Sequence, residues 1–241
     1  MWIRKQESGF IVIMQEIKKG KLIVIEGTDS SGKETQTAIL FDRLSKKVNK
    51  IRKISFPNYE SPACAPVKMY LAGDFGSDAE KVNPYPASTM YAIDRYASYK
   101  MDWGVFYNEG GIIITDRYTT SNMVHQASKI NESGEKESYL AWLEDLEYNK
   151  MGIPRPDLII FLNMPIETAQ KLMFERKNKI TGGDKKDIHE KNIEYLKKSH
   201  KNACEISRKY FWKEIKCVEN NRLKSIEEIS EEIFKLVNEI L

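Results

Sequence analysis

Cysteine and histidine are scarce in this chain, three of each among 241 residues. Cys64, Cys204 and Cys217 are scattered, odd in number and form no C-x-x-C pair. That excludes a disulfide framework and a zinc site, and it points to a reducing compartment, read as the cytoplasm. His125, His189 and His200 are too dispersed to form a ligand cluster. No apolar run approaches the ~18 residues that a membrane-spanning helix needs. Net charge is nearly absent too, with 38 Lys and Arg against 35 Asp and Glu. The whole-chain balance therefore gives no reason to expect a nucleic-acid polymer or an anionic membrane as partner. What remains, 41% hydrophobic and 30% charged, is a globular composition long enough to bury a full core.

Residues 1–20 lack the cation–apolar–small-residue plan of a secretory signal, and Met14 is a second candidate start. They read as an N-terminal extension, with the domain proper over 21–241. Its first regular element is Leu22-Ile23-Val24-Ile25, a continuously apolar, β-branched run suited to a parallel strand covered on both faces. Further strands are expected at Ile51 to Phe56, Ile112 to Ile114, Leu158 to Leu162 and, more weakly, Ile215 to Val218. Helical spacing falls at Thr37, Leu40, Phe41, Leu44 and Val48, over Ala87 to Tyr107, over Glu190 to Tyr210, and from Ile226 to Ile240. Strands alternating with helices predict an α/β fold with a mostly parallel five-stranded sheet. There is neither a Pro/Gly/Ser linker nor an internal repeat.

Between the first strand and its helix stands Gly27-Thr28-Asp29-Ser30-Ser31-Gly32-Lys33-Glu34-Thr35. G-x-x-x-x-G-K in that position is the sequence of a phosphate-binding loop. The glycines let successive N–H groups curl inward on phosphate oxygens, the helix N-terminus adds a positive dipole end, and Lys33 supplies a point charge. A Gly/Ser turn with a surface lysine is the bland alternative; the flanking strand and helix count against it. Glu34 departs from the pattern, because the residue after the lysine is ordinarily a Ser or Thr that joins a magnesium shell. A carboxylate is also a hard oxygen ligand. Thr35 lies one place beyond the expected hydroxyl.

The third apolar strand runs into Asp116-Arg117-Tyr118-Thr119-Thr120-Ser121-Asn122. In a parallel sheet this strand end faces the same crevice as the phosphate loop. One stretch is locally charged: from Lys171 to Lys201 there are ten Lys and Arg against five acids. Inside it, Thr181-Gly182-Gly183-Asp184-Lys185-Lys186 reads as a basic loop between two helices, a lid over about 177–190. A solvated surface is the ordinary reading of such a run; a phosphate site nearby gives it a second one.

These motifs, in this order, resemble the thymidylate kinases, a P-loop nucleoside monophosphate kinase family. The resemblance runs from Lys21 to the C-terminus. It rests on the acidic third place of the phosphate loop (Asp29), Phe56-Pro57 with Tyr59, and Tyr91 followed by Asp94-Arg95. It rests further on the Asp-Arg-Tyr-x-x-Ser-Asn block, Pro156-Asp157-Leu158, and a lid pair at Asp187 and Glu190. The resemblance implies transfer of the γ-phosphate of ATP to dTMP, with Mg²⁺, in a homodimer. It implies Asp29 on the deoxyribose 3′-hydroxyl, Tyr91 stacked on the pyrimidine, Arg95 at its O4 edge and Asn122 at N3. Arg117 would bridge the two nucleotides' phosphates, with Phe56, Tyr59, Ser121 and His125 around the acceptor. Gly27, Ser30, Ser31, Gly32, Lys33, Glu34 and Thr35 would hold the donor phosphates, Arg176 would lie against adenine, and Asp116 with Glu34 would serve the metal. Since Ser30 and Ser31 bring no positive charge, the lid would supply it through Lys185 and Lys186, or through Lys177 or Lys179. Two competing readings are a deoxynucleoside kinase, for which Glu60 is a poorly placed base, and a non-catalytic nucleotide-binding relative, suggested by Glu34.

Overall fold

The computed structural model describes residues 19–179 and 193–241. Five parallel strands form one sheet in the order β2-β3-β1-β4-β5. They are β1 (Lys21–Gly27), β2 (Ile51–Ser55), β3 (Ile112–Asp116), β4 (Leu158–Asn163) and β5 (Lys213–Lys216). The three central strands carry the uninterrupted apolar runs, because helices cover both faces and no polar alternation is required. The edge strands β2 and β5 show solvent-facing Arg52, Lys53, Lys213 and Lys216, charges that discourage pairing with another chain.

The pleat of β1 divides the core. Ile23 and Ile25 point to one face, where Leu40 and Leu44 of α1 (Lys33–Leu44) meet Ile229, Ile233 and Val237 of the C-terminal helix Ile226–Asn238. Leu22 and Val24 point to the other, against Trp103, Tyr107 and Tyr118. A third cluster joins α5 (Thr119–His125), α6 (Ser133–Glu144) and α8 (Ile193–Lys209) through Val124, Tyr139, Leu143 and Ile206, with Phe161 of β4 beneath them. The remaining helices are α2 (Ala65–Ala72), α3 (Pro84–Ser98), α4 (Gly104–Asn108) and α7 (Ile166–Lys179), and the C-terminal helix is α9.

Several boundaries differ from expectation, for identifiable reasons. The helical stretch expected from Ala87 begins at Pro84, because Asn83 caps it by accepting from Tyr85 N at 2.9 Å and proline is tolerated in a first turn. The same stretch is interrupted by a widened turn over Tyr99–Trp103 before α4. The weak strand expected through Val218 ends at Lys216. A small antiparallel hairpin follows, β6 (Val218–Glu219) with β7 (Arg222–Leu223). Its turn is Asn220-Asn221, both left-handed, as a tight hairpin requires. The C-terminal helix starts on a capping box, Ser225 with Glu228. Among the described residues no helix is long and apolar enough to cross a membrane.

Ile160, fully buried in β4, lies beside Ile25 of β1 and in the same core as α9. Ile160→Ala is expected to cost about 2–5 kcal/mol in urea unfolding; a loss below about 1 kcal/mol would show that this layer is not a packed core.

Candidate active site

The C-terminal ends of β1, β2 and β3 open on one crevice. Gly27 closes β1 where a Cβ would lie 2.5 Å from Ser31 Oγ. Ser30 and Gly32 then adopt left-handed backbone, at φ 60° and 86°, curling the loop into α1. No side chain caps α1, so its first N–H groups remain for a ligand. Lys33 is buried and donates to Thr28 O at 2.8 Å. Burial, and then the neighbouring Arg117, lower its pKa against the opposing pull of Asp116, Asp29 and Glu26. The hydroxyls of Thr28 and Ser31 are buried and find no partner in the structure. A bound phosphate would satisfy them. Glu34 and Thr35 are exposed on the first turn of α1.

Arg117 follows β3 with a left-handed backbone, φ 65°, and its N–H donates to Ile25 O at 3.2 Å. Its guanidinium meets the Asp29 carboxylate directly and lies 3.8 Å from Glu26. It also donates to Ser121 Oγ at 3.4 Å and to His125 Nε2 at 3.0 Å. Arginine has no acceptor, so Nε2 is the accepting atom of this contact. Burial opposes the Arg117 charge, but Asp29, Glu26 and Asp116 outweigh it and raise its pKa.

Glu26, fully buried, was not anticipated from sequence. It accepts from Gly27 N at 3.0 Å, Thr120 Oγ1 at 2.6 Å and Ser121 Oγ at 2.8 Å. It thereby ties the phosphate loop to α5. Asp116 Oδ1 is buried without a partner. Burial raises the Asp116 pKa, Lys33 and Arg117 oppose it, and Glu26 and Glu34 push further upward. No group of three or more His, Cys, Asp or Glu able to hold a metal occurs among the described residues.

Beside the loop lies a cavity. Asp29, Phe56, Tyr59, Tyr91, Arg95, Arg117, Ser121, Asn122 and His125, all expected around an acceptor, line it together. The Phe56-Pro57 bond is cis. Asp94 accepts from Asn58 N at 2.8 Å, so this carboxylate braces the turn leading to Tyr59. Tyr91 meets Tyr70 edge-on, ring centroids 6.1 Å apart. Asn122 Nδ2 donates to Ser88 O at 3.2 Å. Arg95, expected to serve a ligand alone, gives Nε and Nη2 to Glu147 at 2.6 Å each and Nη1 to Tyr118 O at 3.3 Å. Three of its five N–H donors are thus committed to the protein.

Gln126 also lines the cavity, and sequence reasoning missed it. Its side chain is 1% exposed, yet neither Nε2 nor Oε1 has a partner. A buried carboxamide left so costs about 1–3 kcal/mol per unmet group, unless a ligand completes it. The signal was its spacing, four residues after Asn122 and so on the same helical face. Glu26 was signalled by being the one charge in an apolar run. Glu147 carried no local signal. Arg176, Lys177 and Lys179 fall in α7 with side chains outside those described, and Lys185, Lys186, Asp187 and Glu190 lie outside the described residues.

The family model for thymidylate kinase matches residues 25–233 of this chain. The chain is 26% identical over 227 residues to the thymidylate kinase of Schizosaccharomyces pombe, covering 94% of this chain and 96% of that one. It is 25% identical over 223 residues to that of Plasmodium falciparum, covering 92% of each. To that of Mycobacterium tuberculosis it is 29% identical over 149 residues, 61% of this chain and 68% of that one. Among solved structures, a thymidylate kinase from Candida albicans superposes with a TM-score of 0.67 at 23% identity, covering 92% of each chain. That likeness speaks for the fold.

Because one Glu26 carboxylate serves three donors, Glu26→Gln, which turns one acceptor into a donor, is expected to destabilise by about 1.5–3 kcal/mol. Urea denaturation measures this; an unchanged midpoint would show that Glu26 does not hold the phosphate loop to α5.

Proposed function

The chain belongs to the thymidylate kinase family, and from that premise we propose that it transfers the γ-phosphate of ATP to dTMP, giving ADP and dTDP. The observation that carries this reading is Arg117. It stands between the phosphate loop of Lys33 and the cavity lined by Tyr91, Arg95 and Gln126. A planar guanidinium there can grip oxygens of both nucleotides at once.

The acceptor is already an anionic phosphate, so alignment and charge neutralisation suffice and no strong general base is required. Lys33 leaves Thr28 O for the donor phosphates, and the Thr28 and Ser31 hydroxyls gain partners. Asp29 exchanges part of its contact with Arg117 for the sugar 3′-hydroxyl. Lys185 and Lys186 are the proposed lid cations, on the ground that Ser30 and Ser31 bring none. In the cavity, Tyr91 offers a ring face to the pyrimidine. Gln126 offers an acceptor and a donor side by side, which can meet the N3–H and O4 of thymine. A flipped amide would meet cytosine equally, so the discrimination falls to Arg95, whose N–H groups only donate and suit O4 rather than an amino group. Asn122, with one amide hydrogen on Ser88, leaves that edge chiefly to Gln126 and Arg95.

The partnerless Asp116 Oδ1 suits a hydrated Mg²⁺, which favours carboxylate and water oxygens and would relieve the repulsion between Asp116 and Glu34. When bound, the ion neutralises charge on the donor phosphates. A homodimer fits the exposed apolar side chains of Met69 on α2 and of Ile93 and Tyr96 on α3. The cytoplasm is the proposed compartment, since Cys64, Cys204 and Cys217 are all free thiols.

A coupled ADP-release assay over a panel of nucleoside monophosphates, with thymidine as an added acceptor, tests the reaction. Turnover of dTMP that EDTA abolishes is expected; turnover of thymidine alone, or binding without dTDP formation, would overturn it. Gln126→Leu separates ligand recognition from packing. Its thermal stability should hold or rise, since an unsatisfied amide is removed, while kcat/KM for dTMP falls by roughly 10- to 30-fold for two lost hydrogen bonds. Unchanged dTMP kinetics would contradict the base-edge assignment.

A further inference from the structure

The cavity holds two arginines in different states. Arg117 touches its carboxylates by single contacts and keeps 19% of its side chain exposed. Arg95 is held by a fork of two 2.6 Å bonds to both oxygens of Glu147, with the two side chains 1% and 0% exposed. Thr119 Oγ1 donates to the same carboxylate at 2.8 Å, fixing it from the first residue of α5. Glu147 itself comes from the widened helical turn Asp145–Lys150 that extends α6. Three elements therefore converge on one buried ion pair.

The geometry of the fork decides what Arg95 can offer. With Nε and one Nη2 hydrogen on Glu147 and one Nη1 hydrogen on Tyr118 O, two N–H groups remain, one on each terminal nitrogen. They form the outer edge of a guanidinium whose plane cannot turn. The charge is also spoken for, because a bidentate carboxylate neutralises it at close range. An unpaired buried guanidinium in the same cavity would draw an anion, and the phosphate of a nucleotide is the strongest anion on offer.

We infer that Glu147 is a positioning residue for the acceptor: it aims the free edge of Arg95 at a neutral base carbonyl and keeps that end of the cavity from binding phosphate. This rests on the acceptor reading above and extends it, since it explains how a nucleotide with one anionic end is held in one direction between two arginines. Arg117, looser and partly exposed, takes the phosphate. Arg95, locked and neutralised, takes the base.

Steady-state kinetics of the full chain test this with Glu147→Gln and Thr119→Val. Glu147→Gln is expected to raise the KM for dTMP by about tenfold or more, the worth of a charge-assisted hydrogen bond. The KM for ATP should change less than about twofold, because uniform damage is excluded only by such a split. Inorganic phosphate should become a competitive inhibitor against dTMP at concentrations that leave the wild type unaffected. Thr119→Val, which keeps the ion pair, should raise the dTMP KM a few-fold without phosphate inhibition. If Glu147→Gln fails to fold, Glu147→Asp, which keeps the charge on a shorter stem, decides by the same KM split. A folded Glu147 variant with unchanged dTMP KM, or one losing both substrates equally without phosphate sensitivity, overturns the inference. Wild-type protein that does not use dTMP would defeat the functional reading instead, so the two failures are distinguishable.

Discussion

The buried carboxylate of Glu26 is the contact through which the site is assembled. It stands at the end of the central strand β1, where the backbone turns into the phosphate loop, and it takes up donors from three directions: Gly27 N, the hydroxyls of Thr120 and Ser121, and the nearby Arg117 guanidinium. A lone carboxylate in a strand buried on both faces would be costly. Satisfied in this way, it fixes the loop after β1 against helix α5, whose residues line the cavity. Arg117 reinforces the joint from the other side, its backbone N–H on β1 and its side chain on Asp29. The loop after β1 and the cavity beside it therefore share one hydrogen-bonded junction, and the phosphoryl transfer proposed above depends on such fixed spacing between its reactants.

Several of the buried polar atoms left without a partner among the described residues lie around that junction, while others, such as Trp103 Nε1, lie elsewhere. Thr28 Oγ1 and Ser31 Oγ lie in the phosphate loop, Asp116 Oδ1 beside it, and both polar atoms of Gln126 in the cavity. A fold tolerates such groups where a ligand completes them, which is what the ligands proposed above would do for these five atoms.

Much of this was legible in the sequence, and the parts that were not share a cause. The central strands could be read because burial on both faces leaves an uninterrupted apolar run, and the loop because glycine spacing has one geometric use there. The Asp-Arg-Tyr block gained meaning from its place at a strand end. By contrast, Glu147 lies 52 residues from Arg95, in a helical turn with no local signature, and only the tertiary fold brings them together. Gln126 was within reach by helical spacing, but what distinguishes it is the absence of a partner, which a sequence cannot display. The Asn220-Asn221 hairpin was locally encoded; two asparagines that both tolerate left-handed backbone are a turn signal even between strands of two residues.

Glu34 bears on the same balance of charge. A hydroxyl at that position would give a metal shell a neutral oxygen; a carboxylate gives it charge as well. In the first turn of α1 a negative side chain suits the positive end of the helix dipole, so the ligand-free protein has a reason to keep it. The same charge pushes the Asp116 carboxyl upward, together with Glu26, in a crevice whose chemistry calls for more anions still. Lys33 and Arg117 already oppose that accumulation, and each is partly spent, Lys33 on Thr28 O and Arg117 on Asp29. Replacing the hydroxyl therefore does not abolish the site's logic. On the proposed reading it would move the requirement from one neutral ligand to the sum of charges around bound phosphates, where a cation would offset the repulsion among Asp116, Glu26 and Glu34.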